Sequence, residues 1–244
     1  MMIVDHSYKV SAFGNFENIL PTSENMMYFL EAFDCCKMVP SVATEGAFNV
    51  KTQQQLVTQR LSFISNDSRE RVVIASGRID YEVNATDDIK LDVSQRESLN
   101  KKILFVFKTI FERFDIQSSR LALNPSSIIT NLTDDEYMQI MKKYHNPISI
   151  YTPTDLSEWG TRLLVCKDIV INGKTEVLNV ITQIDLEIAQ KAEAGVLKED
   201  HVFVVTLDIN TSQNNRNIRF SAVELEEFIS QANSIWDKII DEVG

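Results

Sequence analysis

Between Leu56 and Val83 the chain reads LVTQRLSFISNDSRERVVIASGRIDYEV. Apolar and polar residues alternate through three short runs, separated by Asn-Asp-Ser and Ser-Gly-Arg, which favour turns. A two-residue period sends successive side chains to opposite faces of a strand. The stretch therefore predicts three consecutive strands at roughly 60–65, 70–76 and 78–84. Phe63, Val72, Ile74, Ile79, Tyr81 and Val83 fall on the side that must be buried.

A sheet with one apolar face needs cover, and helical periodicity elsewhere in the chain supplies it. In FSAVELEEFISQANSIWDKIIDEV, Leu225, Phe228, Ile229, Ala232, Ile235, Trp236 and Ile239 form one stripe, which predicts a helix over about 222–242. Ser221 with Glu224 reads as its capping box, and Phe220 with Leu225 as its hydrophobic staple. A second long helix is expected after Ser94, boxed by Glu97 and carrying Leu99, Ile103, Val106, Phe107, Ile110, Phe111 and Phe114. Thr133 and Glu136 box a shorter helix ending near Tyr144, with Leu132 and Tyr137 as its staple. A first helix starts at Thr22 or Ser23, with Met26, Met27, Leu30 and Phe33 as its apolar stripe. SYKVSAF near the start, a hairpin turning at Asn172-Gly173 and HVFVVTLDIN complete the strands.

In order, the elements read strand, helix, three strands, long helix, and then the same again from about residue 119. The expected fold class is α+β: two similar halves, 1–117 and 118–244, each an antiparallel sheet with helices on one face.

Composition narrows the function. The chain has 24 Lys and Arg against 35 Asp and Glu, a net charge of −11. Such a field opposes direct binding to a phosphate backbone and favours a protein partner with a basic surface. The N-terminus lacks the basic and apolar regions of a signal peptide, and no apolar run approaches membrane-spanning length. Three cysteines without framework spacing, Cys35, Cys36 and Cys166, point to a reducing compartment, so a cytoplasmic location is expected.

Catalytic motifs are missing from the sequence. It contains no glycine-rich phosphate loop and no Gly-x-Ser-x-Gly elbow. His6, His145 and His201 lack metal-ligand spacing. No cofactor is expected. Two residue groups remain as candidate sites. Ile148, Ile150, Tyr151 and Trp159 stand in a Pro-containing loop, where aromatic and aliphatic side chains can anchor a partner or close the core beneath it. Asp185, Glu187 and Asp208 alternate along two expected strands; on one face they would hold a divalent ion, and otherwise they are the solvated side of a sheet.

RLSFISNDSRERVVIASGRIDY, together with the closing VTLDINT and FSAVELEEFISQANSIWDKIIDEV, resembles a bacterial family of two-half α+β proteins. Each half is also similar to the secretion chaperone SecB, a four-stranded antiparallel sheet backed by helices that binds non-native chains. The resemblance implies a non-enzymatic subunit that binds a partner protein, chaperone-like or antitoxin- or immunity-like, and supplies no catalytic residue. A metal-dependent hydrolase or nuclease on the three carboxylates is one alternative. A structural subunit of a phage-defence or phage assembly is another. An oligomer is compatible with the amphipathic terminal helix, whose stripe fits its own sheet or a second chain.

Overall fold

A computed structural model describes residues 1–49, 53–84, 93–144, 158–193 and 196–243. The strands are β1 (Met2–Phe13), β2 (Met38–Asn49), β3 (Gln54–Ser65), β4 (Glu70–Ile74), β5 (Arg78–Asn84), β6 (Arg120–Thr130), β7 (Trp159–Ile171), β8 (Lys174–Glu193) and β9 (Val196–Thr211). The helices are α1 (Ser23–Ala32), α2 (Val93–Phe114), α3 (Asp134–Tyr144) and α4 (Ala222–Val243).

All nine strands form one antiparallel sheet in the order β2-β3-β4-β5-β1-β6-β9-β8-β7. Separate sheets for 1–117 and 118–244 are therefore not what forms. β1 and β6 pair along nearly their whole length, from Met2 opposite Thr130 to Phe13 opposite Arg120, and join the two stretches.

One transverse row crosses the sheet from edge to edge. Pro40, Phe63, Val72, Tyr81, Val10, Leu123, Ile209, Val180 and Val165 stand opposite one another in successive strand pairs. From Phe63 to Val180 every member is buried. Direct cross-strand neighbours share a face, so this row marks the side that the helices cover. Tyr8, on that same side, donates its hydroxyl hydrogen to Asn100 Oδ1 of α2 (2.8 Å) and lies 3.2 Å from the Asn233 amide of α4. A bulge between Asp5 and Ser7 turns Asp5 to the helices as well. There it accepts from Ser127 Oγ at 2.9 Å and from Arg96 Nη2 at 3.1 Å. The Arg96 guanidinium lies 3.9 Å above the Trp236 ring and also reaches Asp237.

The stripes expected for α2 and α4 are the faces they bury. Leu99 to Phe111 of the first stripe are buried, as are Leu225, Phe228, Ile229, Ala232 and Trp236 of the second. The Ser221 box forms, with Ser221 N donating to Glu224 Oε2 at 2.9 Å and Val223 N to Ser221 Oγ at 3.2 Å. The Thr133 box forms likewise. Asn172 and Gly173 take φ of 48° and 71°, as the two-residue turn requires.

Three expectations are corrected. α2 begins at Val93, before the expected cap at Ser94, and Glu97 pairs with Lys101 one turn on instead. In α1 the buried residues are Asn25 and Phe29; of the expected stripe Phe33 at the C-cap is buried and Met26 packs on the core, while Met27 and Leu30 are 66% and 53% exposed. That helix is apolar on several sides, so the aromatic contacts fix its phase: Phe29 and Phe33 lie 5.0 and 4.9 Å from Phe63. β2 had no strand signal, because Pro40, Ala43 and Gly46 weaken its propensity. Its place at the sheet edge is where a proline is tolerated.

Two predictions follow from this packing. Phe29→Ala should cost about 3–5 kcal/mol in urea unfolding, whereas Leu30→Ala should be near neutral. Burial works against the Glu224 charge, but hydrogen bonds from the Ser221 hydroxyl, the Asn172 amide and the Ser221 N–H outweigh it and hold the carboxyl down to about 2. An unfolded glutamate titrates near ~4.3. The stabilisation is thus complete above that value and lost as pH falls through about 2. The stability difference between the native chain and Glu224→Gln should shrink over this window in pH-dependent urea melts.

Candidate functional site

β8 continues past the point where β7 begins. Trp159 at the start of β7 pairs with Leu186, while β8 runs on to Glu193. Among the described residues, no strand lies against β8 on that side from Glu187 onward. This step in the sheet brings together residues from both candidate groups.

Trp159 is half-buried, with its ring edge-on to Phe203 of β9 at 6.4 Å between centroids. It packs against the end of the core. Next to it, Gly160 stands opposite Asp185. A Cβ at Gly160 would collide with Asp185 Oδ1, so the carboxylate fills the space a side chain would take. Its other oxygen accepts from Gln183 Nε2 at 2.8 Å. Glu158, Trp159, Asp185, Glu187 and the partly exposed Ile188 line an open depression of about 590 Å³. Asp185, opposite Gly160, and Glu187 stand on the outer face of the sheet, whereas Trp159, Leu186 and Ile188 stand on the helix face.

Asp208 shares the face of Asp185 and Glu187, as expected, but stands opposite Ile181. Four residues along a strand separate it from Asp185, about 13 Å. It accepts instead from Asn210 Nδ2 at 2.9 Å. Among the described residues no three His, Cys, Asp or Glu side chains are grouped to hold a metal ion. Ile148, Ile150 and Tyr151 lie outside the described residues.

Other features compete less well for a functional role. A groove of about 680 Å³ runs between α2 and α4, lined by Arg96, Asn100, Asn233 and Asp237. Those side chains already bind one another, Tyr8 or Asp5, and so fasten the helices to the sheet. The Cys35 and Cys36 sulfurs lie 3.8 Å apart. Burial, then the neighbouring thiol, pushes Cys36 up to about 11, the opposite of nucleophile activation. No helix among the described residues is long and apolar enough to cross a membrane.

Sequence reasoning missed the exposure of β7. Leu163, Leu164 and Val165 are 56%, 57% and 48% exposed although they form a continuous apolar run. Such a run reads as a buried strand, and periodicity alone does not distinguish an edge from a centre. Comparison of the chain with protein-family models, curated proteins and solved structures finds no match.

The separation of the carboxylates has a measurable consequence. In Mn²⁺ titrations followed by calorimetry, Asp208→Asn should leave any heat signal unchanged, because that residue shares no ion with Asp185 and Glu187. Equal loss on Asp185→Asn and Asp208→Asn would show a joint site.

Proposed function

We propose that the protein is a non-enzymatic binding subunit, chaperone-like or antitoxin- or immunity-like, that docks an extended segment of a basic partner protein at the step between β7 and β8. The observation that carries this reading is the stretch of β8 beyond Trp159, against which no strand lies on that side among the described residues. A peptide strand laid there continues the line of β7 and takes up main-chain hydrogen bonds, the mode of β-augmentation. Glu158, Asp185 and Glu187 select Lys or Arg on that segment, and Trp159, Leu186 and Ile188 border it on the helix side. The net charge of −11 steers the same class of partner.

The reading includes two related halves. β1 and β6 each open a half, and each pairs on its outer side with the last strand of the meander that follows, β5 or β9. A long helix, α2 or α4, closes each half. This order supports an ancestral duplication across residues 1–117 and 118–244. Three free thiols support a reducing, cytoplasmic setting.

The test compares tagged native and variant chains in pull-downs of the partner. Trp159→Ala should weaken retention roughly tenfold or more, in the range of an anchor residue. Asp185→Lys with Glu187→Lys should abolish capture of a basic segment while leaving the thermal midpoint nearly unchanged. Undiminished capture by both variants would place the partner elsewhere.

A further inference from the structure

We propose that a second copy of this chain adds to the free edge of β7, antiparallel to it, about a two-fold axis at Val165. The two sheets then run on as one, with both helix layers on the same side.

Four observations lead to this. Among the described residues β7 ends the sheet, and Arg162–Asp168 is exposed on both faces, with Leu163, Leu164 and Val165 about half open. A bare edge of this length invites strand pairing unless it is blocked. The opposite edge strand, β2, carries Pro40 and Gly46 as interruptions, whereas the exposed stretch of β7 has neither residue.

Backbone direction fits as well. The two-residue turn at Asn172-Gly173 makes Ile171 and Lys174 the closing pair of the hairpin. Hydrogen-bonded and non-bonded positions alternate from there, so the even-numbered residues of β7 point their N–H and C=O groups away from β8. The Val170 carbonyl agrees, since it accepts from Gln231 Nε2 of α4 at 2.7 Å. Arg162, Leu164, Cys166 and Asp168 therefore present open ladder groups, enough for about eight hydrogen bonds in a symmetric pair.

Charge sets the register. With the axis at Val165, Arg162 of each copy faces Asp168 of the other on the outer face of the sheet, and Leu164 faces Cys166. Moving the axis half a residue back sets Arg162 against Lys167; moving it forward sets Arg162 against Ile169. Of these three registers only the central one gives two opposite-charge pairs, and like charges directly across a ladder are unfavourable. On the helix side Val165 meets Val165. The buried row that starts at Phe63 then passes from one copy into the next instead of ending in solvent at Val165.

Pairing over Arg162–Asp168 stops short of Trp159 and of the stretch of β8 beyond it. Dimer formation and partner docking therefore respond to different substitutions.

Sedimentation velocity of the full chain tests the proposal. The native protein should dimerise, and Arg162→Asp or Asp168→Arg should each raise the dimer dissociation constant roughly tenfold or more. The exchanged double variant, Arg162→Asp with Asp168→Arg, should restore it. Val165→Cys in a Cys166→Ser background should form an intermolecular disulfide on mild oxidation, since facing residues at a non-bonded position bring their Cβ atoms closest. Leu163→Cys in the same background should not, because it faces Lys167. Circular dichroism confirms that each variant is folded. A monomer at all concentrations, a dimer indifferent to both charge reversals, or equal cross-linking at 163 and 165 would overturn the proposal.

Discussion

The antiparallel ladder between β1 and β6 is the contact on which the rest of the molecule is arranged. It joins strands more than a hundred residues apart in the chain, Met2–Phe13 with Arg120–Thr130, and so fixes the register of everything outward on both sides. Val10 and Leu123 sit at its middle, and the row they belong to is buried from Phe63 to Val180. A slip of one residue would turn the apolar set of a whole strand to the wrong face. Polar contacts protect that register. Tyr8 meets side chains of α2 and α4, and Asp5 binds Arg96 of α2 and Ser127 of β6. Both long helices are thus tied to the same central pair of strands.

Much of this was legible in the sequence where a local rule is strong. The α4 cap, the Asn172-Gly173 turn and the stripes of α2 and α4 are set by chemistry within a few residues. They appear where the pattern puts them. Legibility fails where a distant neighbour decides. α1 offers Met27, Leu30, Phe29 and Phe33 on overlapping faces, and Phe63 of β3 chooses between them. β2 lacks a strand signal because an edge tolerates Pro40, a fact of its position in the sheet. The fusion of both sheets into one rests on β1–β6 pairing, which no local pattern encodes.

The candidate site shows the same division. Alternation placed Asp185, Glu187 and Asp208 on one face, and they share it. The stagger between β8 and β9 then carries Asp208 away from the other two. Trp159 and the two carboxylates were separate ideas in the sequence. They meet at one edge because β7 starts opposite Leu186 and Gly160 leaves room for Asp185, with Trp159 on the helix face and the carboxylates on the outer one. Carboxylates on one face and, among the described residues, a strand edge with no neighbour suit the capture of an extended basic segment.

The most direct measurement is zero-length carbodiimide coupling of carboxylates to lysines, applied to the full-length protein with its partner bound and read by mass spectrometry. Cross-links are expected from Glu158, Asp185 or Glu187 to lysines in one extended stretch of the partner. Cross-links confined to other carboxylates, such as those of the α2–α4 groove, would contradict it.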